Sequence, residues 1–402
     1  MNSPAKQPCI LFVFNHYLGG DGGEGVVVKN EMQALKDQGY SVYYHEYNNR
    51  SFRKFSPSSL FTPANLFFNA AAFMRTWFFV RKHKIDVVHA HNFHYTASPS
   101  VFWAAKLAGA KTVMTVHNYR LFCLNSLFLR EGRHCFDCHT ARSFAAGISA
   151  RCFRSSNLFS SALASSTMLH RKIGTWRRKL DLIIVLNPLM RQLFMDIGVA
   201  ADRILLKPNF LVPTLQEGFE ERKDFFLFAG RLAEEKGIRH LVETFRRTGK
   251  NLIIAGDGDL RGWVEEHAGG NILFEGQQSK ESLDRLLRTC KALVFPSLWI
   301  EGMPLVLNEA KSAGAIIIAA RSPNTEMLIQ DQLNGFLYEP GDTGSLENAI
   351  RLVESKTPEE LNMISGRAKR SFMEEYNSPS GQVITSLFSH LRIMQQVYSA
   401  GR

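Results

Sequence analysis

The chain of 402 residues is too long for one hydrophobic core and fits two domains of ordinary size. Its hydrophobic content of 45% and charged content of 21% are those of a globular protein. The net charge of +11 is not accompanied by stacking-aromatic or zinc-finger patterns, so we expect no nucleic-acid partner.

The amino terminus leads directly into an apolar strand, CILFVF (9–14), without the pattern of a signal peptide. The sequence also lacks any run of about 20 apolar residues, the length that spans a bilayer. We therefore expect a cytoplasmic protein.

A glycine-rich loop follows this strand. The segment GDGGEG (20–25) matches the dinucleotide pattern GxGxxG, and Glu46 lies about 20 residues further on, which by itself predicts an NAD-binding unit. However, residues 15–18 separate the strand from the first glycine, whereas a dinucleotide turn is tighter. We interpret the segment as an active-site loop and keep a dehydrogenase as the weaker alternative.

Residues 52–84 mix aromatic and basic side chains. The apolar members are Phe61, Leu66, Phe67, Phe68, Phe73, Met74, Trp77, Phe78 and Phe79, and the basic members are Arg53, Lys54, Arg75, Arg81, Lys82 and Lys84. This mixture fits a surface lying peripherally on an anionic membrane, at the inner face of the cytoplasmic membrane. A core helix with solvated basic ends fits it equally well.

Two more segments each begin with an apolar strand that ends at a histidine. IDVVHAHNFHY (85–95) and KTVMTVHNYRLFC (111–123) each predict a buried strand, and a doubly wound domain places its chemistry at strand ends. We interpret His89 and His91 as structural histidines and His117 as a candidate site residue.

Four cysteines cluster within 30 residues: Cys123, Cys135, Cys138 and Cys152. Since disulfides rarely persist inside cells, the alternatives are buried free thiols and a closed tetrahedral Zn²⁺ site. His134 or His139 could replace a thiolate ligand. Zinc here would stabilise the insertion 122–160 rather than take part in catalysis.

The pattern predicts four segments: a first domain (1–206), a linker (207–221), a second domain (222–376) and an amphipathic helical tail (377–402). The linker is rich in proline, glycine and charge. In the second domain, strands alternate with helices, which predicts a parallel, doubly wound sheet. Arg231, just past a strand, and Lys236, at a helix start, can reach an anion at the carboxyl edge of that sheet.

Two glutamates, Glu301 and Glu309, follow the strand ALVFPS (292–297) and bracket the turn Gly302-Met303-Pro304. Proline suits the first helical position, and the free N–H groups of a helix start bind anions. Carboxylates accept hydrogen bonds from sugar hydroxyls. The arrangement therefore predicts a phosphorylated sugar as ligand.

The series GRLAEEKG, AGDGDL, FEGQQ, FPSLWIEGMPLVLNEAKSAGA and NGFLYEPGD resembles the retaining, nucleotide-sugar-dependent glycosyltransferases of family 4. The resemblance covers nearly the whole chain. It implies the α/β GT-B architecture, with two Rossmann-like, doubly wound parallel-sheet domains facing across a cleft. It also implies that the C-terminal helix crosses back to the first domain.

The resemblance assigns roles to residues of both domains. The implied catalytic residues are His117, Arg231, Lys236 and Glu301. The implied donor-binding residues are Gly19, Gly20, Gly256, Gly258, Gln277, Gly302, Met303, Pro304 and Glu309. Glu309 would hold the ribose hydroxyls, Gln277 would lie near the base, and His16 is a candidate contact of the acceptor.

The implied activity is transfer of a sugar, with anomeric retention, from a nucleotide-diphosphate sugar to a glycan or lipid-linked acceptor in cell-surface polysaccharide or glycolipid synthesis. We expect a hexosyltransferase without a catalytic metal, because two cationic side chains neutralise the leaving diphosphate. A front-face path is favoured over double displacement through a glutamate. The alternatives are a catalytically silent nucleotide-sugar-binding partner of a membrane assembly and a sugar-nucleotide epimerase.

Overall fold

The computed structural model describes residues 7–16, 22–49, 62–207, 209 and 221–377. Within them the chain divides into two compact units, Met1–Leu127 with Phe136–Phe210 and Phe128–Cys135 with Leu211–Arg402. Apart from Asn377, the predicted C-terminal helix (377–402) lies outside the described residues. So do Gly19 and Gly20, Phe61, Arg53 and Lys54.

The strands of the first half of the chain are β1 (Cys9–His16), β2 (Ser41–Asn48), β3 (Val87–Asn92), β4 (Lys111–Val116), β5 (Leu129–Arg130), β6 (Arg133–His134), β7 (Leu182–Val185) and β8 (Ile204–Leu206). The first unit contains a parallel sheet in the order β2-β1-β3-β4-β7-β8. The strands β5 and β6 form an antiparallel hairpin that belongs to the second unit.

Helices connect the parallel strands of the first unit. They are α1 (Gly22–Asp37), α2 (Thr62–Phe67), α3 (Ala70–His83), α4 (Ser100–Leu107), α5 (Asp137–Thr140), α6 (Ala145–Ser149), α7 (Asn157–Lys172), α8 (Thr175–Arg178) and α9 (Pro188–Asp196). Among the described residues, no helix is both long enough and apolar enough to span a membrane.

The second unit is a second α/β structure. Its strands are β9 (Phe226–Ala229), β10 (Leu252–Ala255), β11 (Ile272–Gly276), β12 (Ala292–Phe295), β13 (Ile317–Ala320) and β14 (Phe336–Tyr338). Its helices are α10 (Ile238–Thr248), α11 (Arg261–His267), α12 (Lys280–Thr289), α13 (Leu305–Ala313), α14 (Thr325–Leu328), α15 (Thr343–Glu354) and α16 (Pro358–Asn377).

Helices cover both faces of the second sheet, which explains why the strands β9, β10, β12 and β13 are short and wholly apolar. Along β9, Phe226 and Phe228 pack on one face with α10 and α15, while Leu227 and Ala229 pack on the other with α12 and α13. Alternation of successive side chains between two buried faces is expected for a doubly wound sheet.

The sheet of the second unit has the order β11-β10-β9-β12-β13-β14, with all neighbours parallel. Chain order thus runs outward from β9 in one direction and then reverses at β12, as in dinucleotide-binding folds. In the first unit, the corresponding reversal lies between β1 and β3. The predicted fold class of two Rossmann-like parallel-sheet units is confirmed.

Candidate active site

The candidate site of the second unit lies where the strand order reverses. β9 lies between β10 and β12, so the segments that follow β9 and β12 leave the same edge of the sheet. The first of these segments carries Arg231 and Lys236, and the second carries Ser297 and Glu301. Open parallel sheets bind ligands at this edge, so the fold brings the predicted residues to the expected place.

Two predicted catalytic residues, Lys236 and Glu301, form an ion pair. Lys236 Nζ lies 2.5 Å from Glu301 Oε1, and Ser297 Oγ donates a hydrogen bond of 2.7 Å to the same oxygen. The Glu301 side chain is only 8% exposed. Burying a carboxylate costs on the order of several kcal/mol, which such partners offset. The pair therefore holds both charged groups at the sheet edge.

The main chain at Glu301 is held as well. The buried Asn324 donates its side-chain amide to the carbonyl oxygen of Glu301. Asn324 and Ser297 are site residues that the sequence analysis missed. The signal for Ser297 was its place at the end of the apolar segment ALVFPS (292–297), four residues before Glu301. No local pattern points to Asn324, which lies 23 residues beyond its partner.

Arg231 is placed differently from Lys236. It forms an ion pair with Glu235, and its side chain is 46% exposed. Exposed ion pairs of this kind contribute little free energy, so Arg231 can exchange Glu235 for an anionic ligand at small cost. The guanidinium fork of arginine matches phosphate oxygens.

Gly237 allows the Lys236 segment to approach the segment after β12. It has φ of +69°, and a Cβ atom built there would lie 2.1 Å from the carbonyl oxygen of Pro296. Glycine alone tolerates both the left-handed backbone and this contact. Steric exclusion of any side chain thus explains why the motif GRLAEEKG ends in glycine. This glycine lets the segment that carries Lys236 approach the segment that carries Glu301.

Gly256 and Gly258, both predicted to bind the donor, pack against the segment that carries Arg231. A Cβ atom at Gly256 would lie 1.9 Å from the Gly230 carbonyl oxygen, and one at Gly258 would lie 2.5 Å from that of Leu232. The structure therefore gives both glycines a packing function, and their contact with a donor stays a prediction.

Helix α13 starts one residue later than the sequence predicts. Pro304 precedes the helix as its N-cap residue, and the first helical residue is Leu305. Pro304 has an extended backbone with ψ of 112°, and no side chain caps the helix. The first N–H groups of α13 thus begin at Leu305, directly after Pro304, and N–H groups at a helix start can bind an anion.

Glu309, on α13, lies in a different environment from Glu301. Burial raises the pKa of its carboxyl group, as does nearby Asp284, against the opposing charge of Lys280. Within the described part of the chain it forms no hydrogen bond or ion pair. A half-buried carboxylate of this kind is suited to accept hydrogen bonds from ligand hydroxyls. Gln277 is exposed between β11 and α12.

In the first unit, His117 directly follows β4 and contacts His91 of β3. His117 Nε2 lies 3.0 Å from His91 Nδ1, and the other nitrogen of His91, Nε2, lies 3.3 Å from Glu31 Oε2. Glu31 Oε1 in turn accepts a hydrogen bond from the ammonium group of Lys207. All four side chains are buried. His91, interpreted as structural, therefore also contacts the candidate site residue.

Electrostatics in this cluster follow from burial and pairing. Burial on its own raises the pKa of Glu31, but the Lys207 ammonium and His91 outweigh it and hold that pKa well below its ordinary value. Burial lowers the pKa of His117 to about 3, so the ring is neutral at pH 7. His89 is hydrogen-bonded to Thr115 over 2.8 Å, as a structural histidine should be.

The sequence analysis missed Glu31 and Lys207. Glu31 had a signal: Val27, Val28 and Leu35, at helical spacing from it, are all buried, so the carboxylate lies on the apolar face of α1. Lys207 had no such sequence signal. It follows a strand of only three residues, β8, and no local pattern marks the position as buried.

The glycine loop is described only in part. Its first residues, with the predicted donor contacts Gly19 and Gly20, lie outside the described residues, and α1 begins at Gly22. His16, the candidate acceptor contact, has Nε2 2.9 Å from Glu46 Oε1 and 3.3 Å from the Tyr44 hydroxyl.

The predicted zinc ligands do not converge within the first unit. Cys123, Cys138 and Cys152 belong to it, and they do not bring three ligand atoms together in the described part of the chain. Cys135 belongs to the second unit. The four-cysteine zinc site therefore stays a prediction.

A different trio, Glu31, His89 and His91, places one ligand atom each within 4.8 Å of the others. Here the Lys207 ammonium already supplies the cation that balances Glu31. The donor set therefore fits a network of protein groups better than a metal centre.

From residue 62 onward, the aromatic and basic segment forms α2 and α3. Phe68, Met74 and Phe78 are exposed at 45%, 44% and 57%. Thr76 and Val80 of α3 are buried instead. The segment thus combines a packed face with exposed apolar side chains and the basic residues Arg75, Arg81 and Lys82.

Two family models match the sequence: "Glycosyltransferase Family 4" over residues 21–214 and "Glycosyl transferases group 1" over residues 215–371. An Escherichia coli UDP-Gal:alpha-D-GlcNAc-diphosphoundecaprenol alpha-1,3-galactosyltransferase is 26% identical over 40% of this chain and 43% of its own length. The O-antigen chain mannosyltransferase C of Escherichia coli is 28% identical over 39% of this chain. That alignment too spans only 43% of the relative.

Solved structures resemble the whole chain. Anabaena HepE in complex with UDP aligns with a TM-score of 0.63 at 15% identity, covering 96% of this chain and 99% of HepE. Sucrose-phosphate synthase from Thermosynechococcus elongatus aligns with a TM-score of 0.67 at 16% identity, covering 98% of this chain and 100% of the synthase. At these identities the likeness shows the fold.

The role of Gly237 predicts a difference between two glycines at opposite ends of α10. Gly249 has nearly the same φ, +66°, but no atom within 4 Å of an added Cβ. Gly249→Ala should cost about 1 kcal/mol of unfolding free energy from backbone strain alone. Gly237→Ala should cost about 1–3 kcal/mol more, because the Pro296 carbonyl must move. Urea unfolding of both variants measures the difference, and equal losses would contradict the steric account.

Proposed function

The chain belongs to glycosyltransferase family 4 and has the GT-B fold, and from that premise we propose that it transfers a sugar from a nucleotide-diphosphate sugar to a glycan or lipid-linked acceptor. The observation that carries the proposal is the set of groups at the carboxyl edge of the second sheet. An exposed Arg231, the Lys236–Glu301 pair and the uncapped start of α13 supply cations, a carboxylate and free N–H groups.

Relatives support the donor and acceptor classes. HepE has been solved with UDP and with UDP-glucose. The name of the galactosyltransferase specifies UDP-Gal and a diphosphoundecaprenol acceptor, which is lipid-linked. We therefore infer a role in cell-surface polysaccharide or glycolipid synthesis, with the nucleotide and sugar to be identified by experiment.

Each charged residue has a part in the proposed reaction. Arg231 binds the diphosphate, and Lys236 stabilises the charge that develops as the diphosphate leaves. Glu309 accepts hydrogen bonds from the ribose hydroxyls, and the N–H groups at the start of α13 contact the donor. His117 of the first unit orients hydroxyl groups of the reacting sugars.

We propose anomeric retention by a front-face path. Glu301 Oε1 is engaged by Lys236 and Ser297, which lowers its nucleophilicity. A covalent glycosyl–glutamate intermediate is thereby disfavoured, and the leaving phosphate oxygen takes the proton of the acceptor hydroxyl instead. The two cations at the sheet edge take the place of a catalytic metal in this scheme.

We also propose peripheral binding at the inner face of the cytoplasmic membrane through α2 and α3. The exposed Phe68, Met74 and Phe78 can enter the interfacial region of a bilayer, and the neighbouring Arg75, Arg81 and Lys82 can meet anionic headgroups. Such binding would bring the protein to a lipid-linked acceptor.

The donor assignment predicts a thermal stabilisation by one class of nucleotide sugar. A panel of UDP-, GDP- and ADP-sugars should contain a donor that raises Tm, since a ligand at 100 times its Kd stabilises the native state by about 2.7 kcal/mol. Glu309→Gln should lower the affinity for that donor by about 10- to 100-fold, because a hydrogen bond to a charged group is lost. Titration calorimetry then gives Kd.

The matched control is Glu266→Gln, because the Glu266 side chain is 77% exposed on α11. It should bind the donor like the wild type. If no donor in the panel stabilises the protein, or if Glu309→Gln and Glu266→Gln bind the donor with equal affinity, the proposed donor site at Glu309 is refuted. Binding without transfer to any acceptor would favour the catalytically silent partner.

Membrane association predicts binding to anionic vesicles. Sedimentation with vesicles of phosphatidylglycerol and phosphatidylcholine should capture the wild type. Phe78→Ser should weaken capture, because an aromatic side chain that would enter the bilayer is lost. Leu273→Ser, in the second unit and 54% exposed, is the control and should bind like the wild type. Equal capture of both variants, or none of the wild type, would contradict this surface.

A further inference from the structure

The segment 138–180, which includes α6, α7 and α8, carries positive charge without any acidic residue. It contains no aspartate or glutamate and eight basic residues, namely Arg142, Arg151, Arg154, Arg171, Lys172, Arg177, Arg178 and Lys179. The whole chain has a net charge of +11, so this short segment accounts for most of the excess positive charge.

These cations have no carboxylate partners. Within the described residues, none of the eight side chains forms an ion pair, and all but Arg171 and Lys179 are exposed. In the second unit, by contrast, exposed arginines of α10 and α11 pair with nearby acids, as in Arg239–Glu234 and Arg261–Glu265. An anionic partner of the segment 138–180 would therefore not have to displace carboxylates from its cations.

Helix α7 lies in the middle of this segment and has an apolar outer face. The exposed side chains include Leu158 at 69%, Met168 at 43% and Leu169 at 41%, and Ile173 directly after the helix is 40% exposed. Lys172 is exposed on the same side, at helical spacing from Met168 and Leu169. The inner face packs in the unit through Ser160, Leu163, Ala164, Ser166, Thr167 and His170. Grouped, exposed apolar side chains are typical of a surface that contacts a partner.

The outer face of α7 adjoins α2. Ser166 Oγ donates a hydrogen bond of 2.7 Å to the carbonyl oxygen of Leu66, and His170 Nε2 lies 2.8 Å from that of Phe67. The next residue, Phe68, is 45% exposed. The exposed residues of α7 and those at the end of α2 therefore belong to neighbouring elements of one unit.

Charge and chemistry decide which partner fits this face. The C-terminal segment 377–402 contains no aspartate or glutamate, so it would not neutralise the cations. A second copy of the chain would bring the same positive charges, which repel. Nucleic-acid grooves combine cations with stacking aromatic rings, whereas the exposed large apolar residues of α7 are Leu158, Met168 and Leu169. An anionic bilayer accepts both groups, the apolar side chains at its interface and the cations at its headgroups.

We propose that the outer face of α7, with the unpaired basic residues that flank it, docks on an anionic lipid bilayer. Leu158, Met168, Leu169 and Ile173 enter the interfacial region, while the cations meet lipid phosphates. The inference extends the membrane association proposed for α2 and α3 and rests on that proposal for the partner. The observations that carry it, the unpaired charges of residues 138–180 and the exposed face of α7, do not involve α3.

Oxidation of methionine tests the contact without any substitution. Met168 of α7 is 43% exposed, and Met363 of α16, in the second unit, is 54% exposed and serves as the internal control. Hydroxyl radicals convert exposed methionine into the sulfoxide, which mass spectrometry locates. Vesicles of phosphatidylglycerol and phosphatidylcholine should slow the oxidation of Met168 several-fold and leave that of Met363 unchanged. Equal oxidation of Met168 in free and vesicle-bound protein would overturn the proposal.

A charge reversal tests the electrostatic part. Lys172→Glu should lower partitioning onto phosphatidylglycerol vesicles by about 10- to 30-fold, because one attraction is lost and one repulsion is added. The control is Arg246→Glu, which changes the net charge equally at an exposed residue of α10 without an ion pair among the described residues. It should bind like the wild type. Equal partitioning of the two variants would contradict the role of these cations.

Met74 of α3, 44% exposed, separates this inference from the proposed function. Protection of Met74 without protection of Met168 would refute the α7 surface alone. Protection of Met168 alone would support the α7 surface and refute the one on α3, and protection of neither would refute both. Transfer to an acceptor in detergent micelles needs no bilayer, so Lys172→Glu should transfer sugar like the wild type. Absence of transfer by the wild type would refute the proposed activity alone.

Discussion

A carboxylate can be buried only with a compensating partner beside it, and both units of this chain meet this constraint with a lysine at the carboxyl edge of a parallel sheet. In the second unit the pair is Lys236 with Glu301, and in the first it is Lys207 with Glu31. Lys207 directly follows β8, whereas Lys236 lies in the segment between β9 and α10. Glu31 belongs to α1, and Glu301 lies in the segment between β12 and α13. The candidate sites depend on these two pairs.

The two pairs have different consequences for chemistry. The Lys236 side chain is 18% exposed, so an incoming diphosphate can share the ammonium group with Glu301. Under the proposed function, Glu301 would then become a stronger hydrogen-bond acceptor for a sugar hydroxyl when the donor binds. Lys207 is 3% exposed, and its ammonium group pairs with Glu31 inside the first unit. The first pair can therefore meet a ligand directly, whereas the second is enclosed by protein.

Much of this was predictable from sequence, because local patterns decide strands, glycine turns and the residues directly after strands. The apolar run at residues 225–229, the motif with Arg231 and Lys236, and the Glu301 turn all lie in the predicted order along the second sheet. Pro304 differs by one position, since its extended backbone makes it the cap of α13 rather than its first residue.

The rest could not be predicted, because the decisive contacts join residues far apart in sequence. Glu31 and Lys207 meet across 176 residues, and nothing near Lys207 marks it as buried. Asn324 reaches the Glu301 carbonyl across 23 residues. The grouping of Phe128–Cys135 with the second unit likewise arises from tertiary packing of a short hairpin, β5–β6, that local propensity does not specify.

The central claim is the proposed transfer of a sugar from a nucleotide sugar, with the charged groups at the carboxyl edge of the second sheet binding the donor. The most direct measurement is a single-turnover reaction of the purified protein with a radiolabelled nucleotide sugar that it binds, in the presence of extracted lipid-linked glycans. The account predicts equimolar release of nucleoside diphosphate and appearance of label in the glycan or lipid fraction, with the anomeric configuration of the donor retained. Bound donor that is neither consumed nor transferred, or a product of inverted configuration, would contradict it.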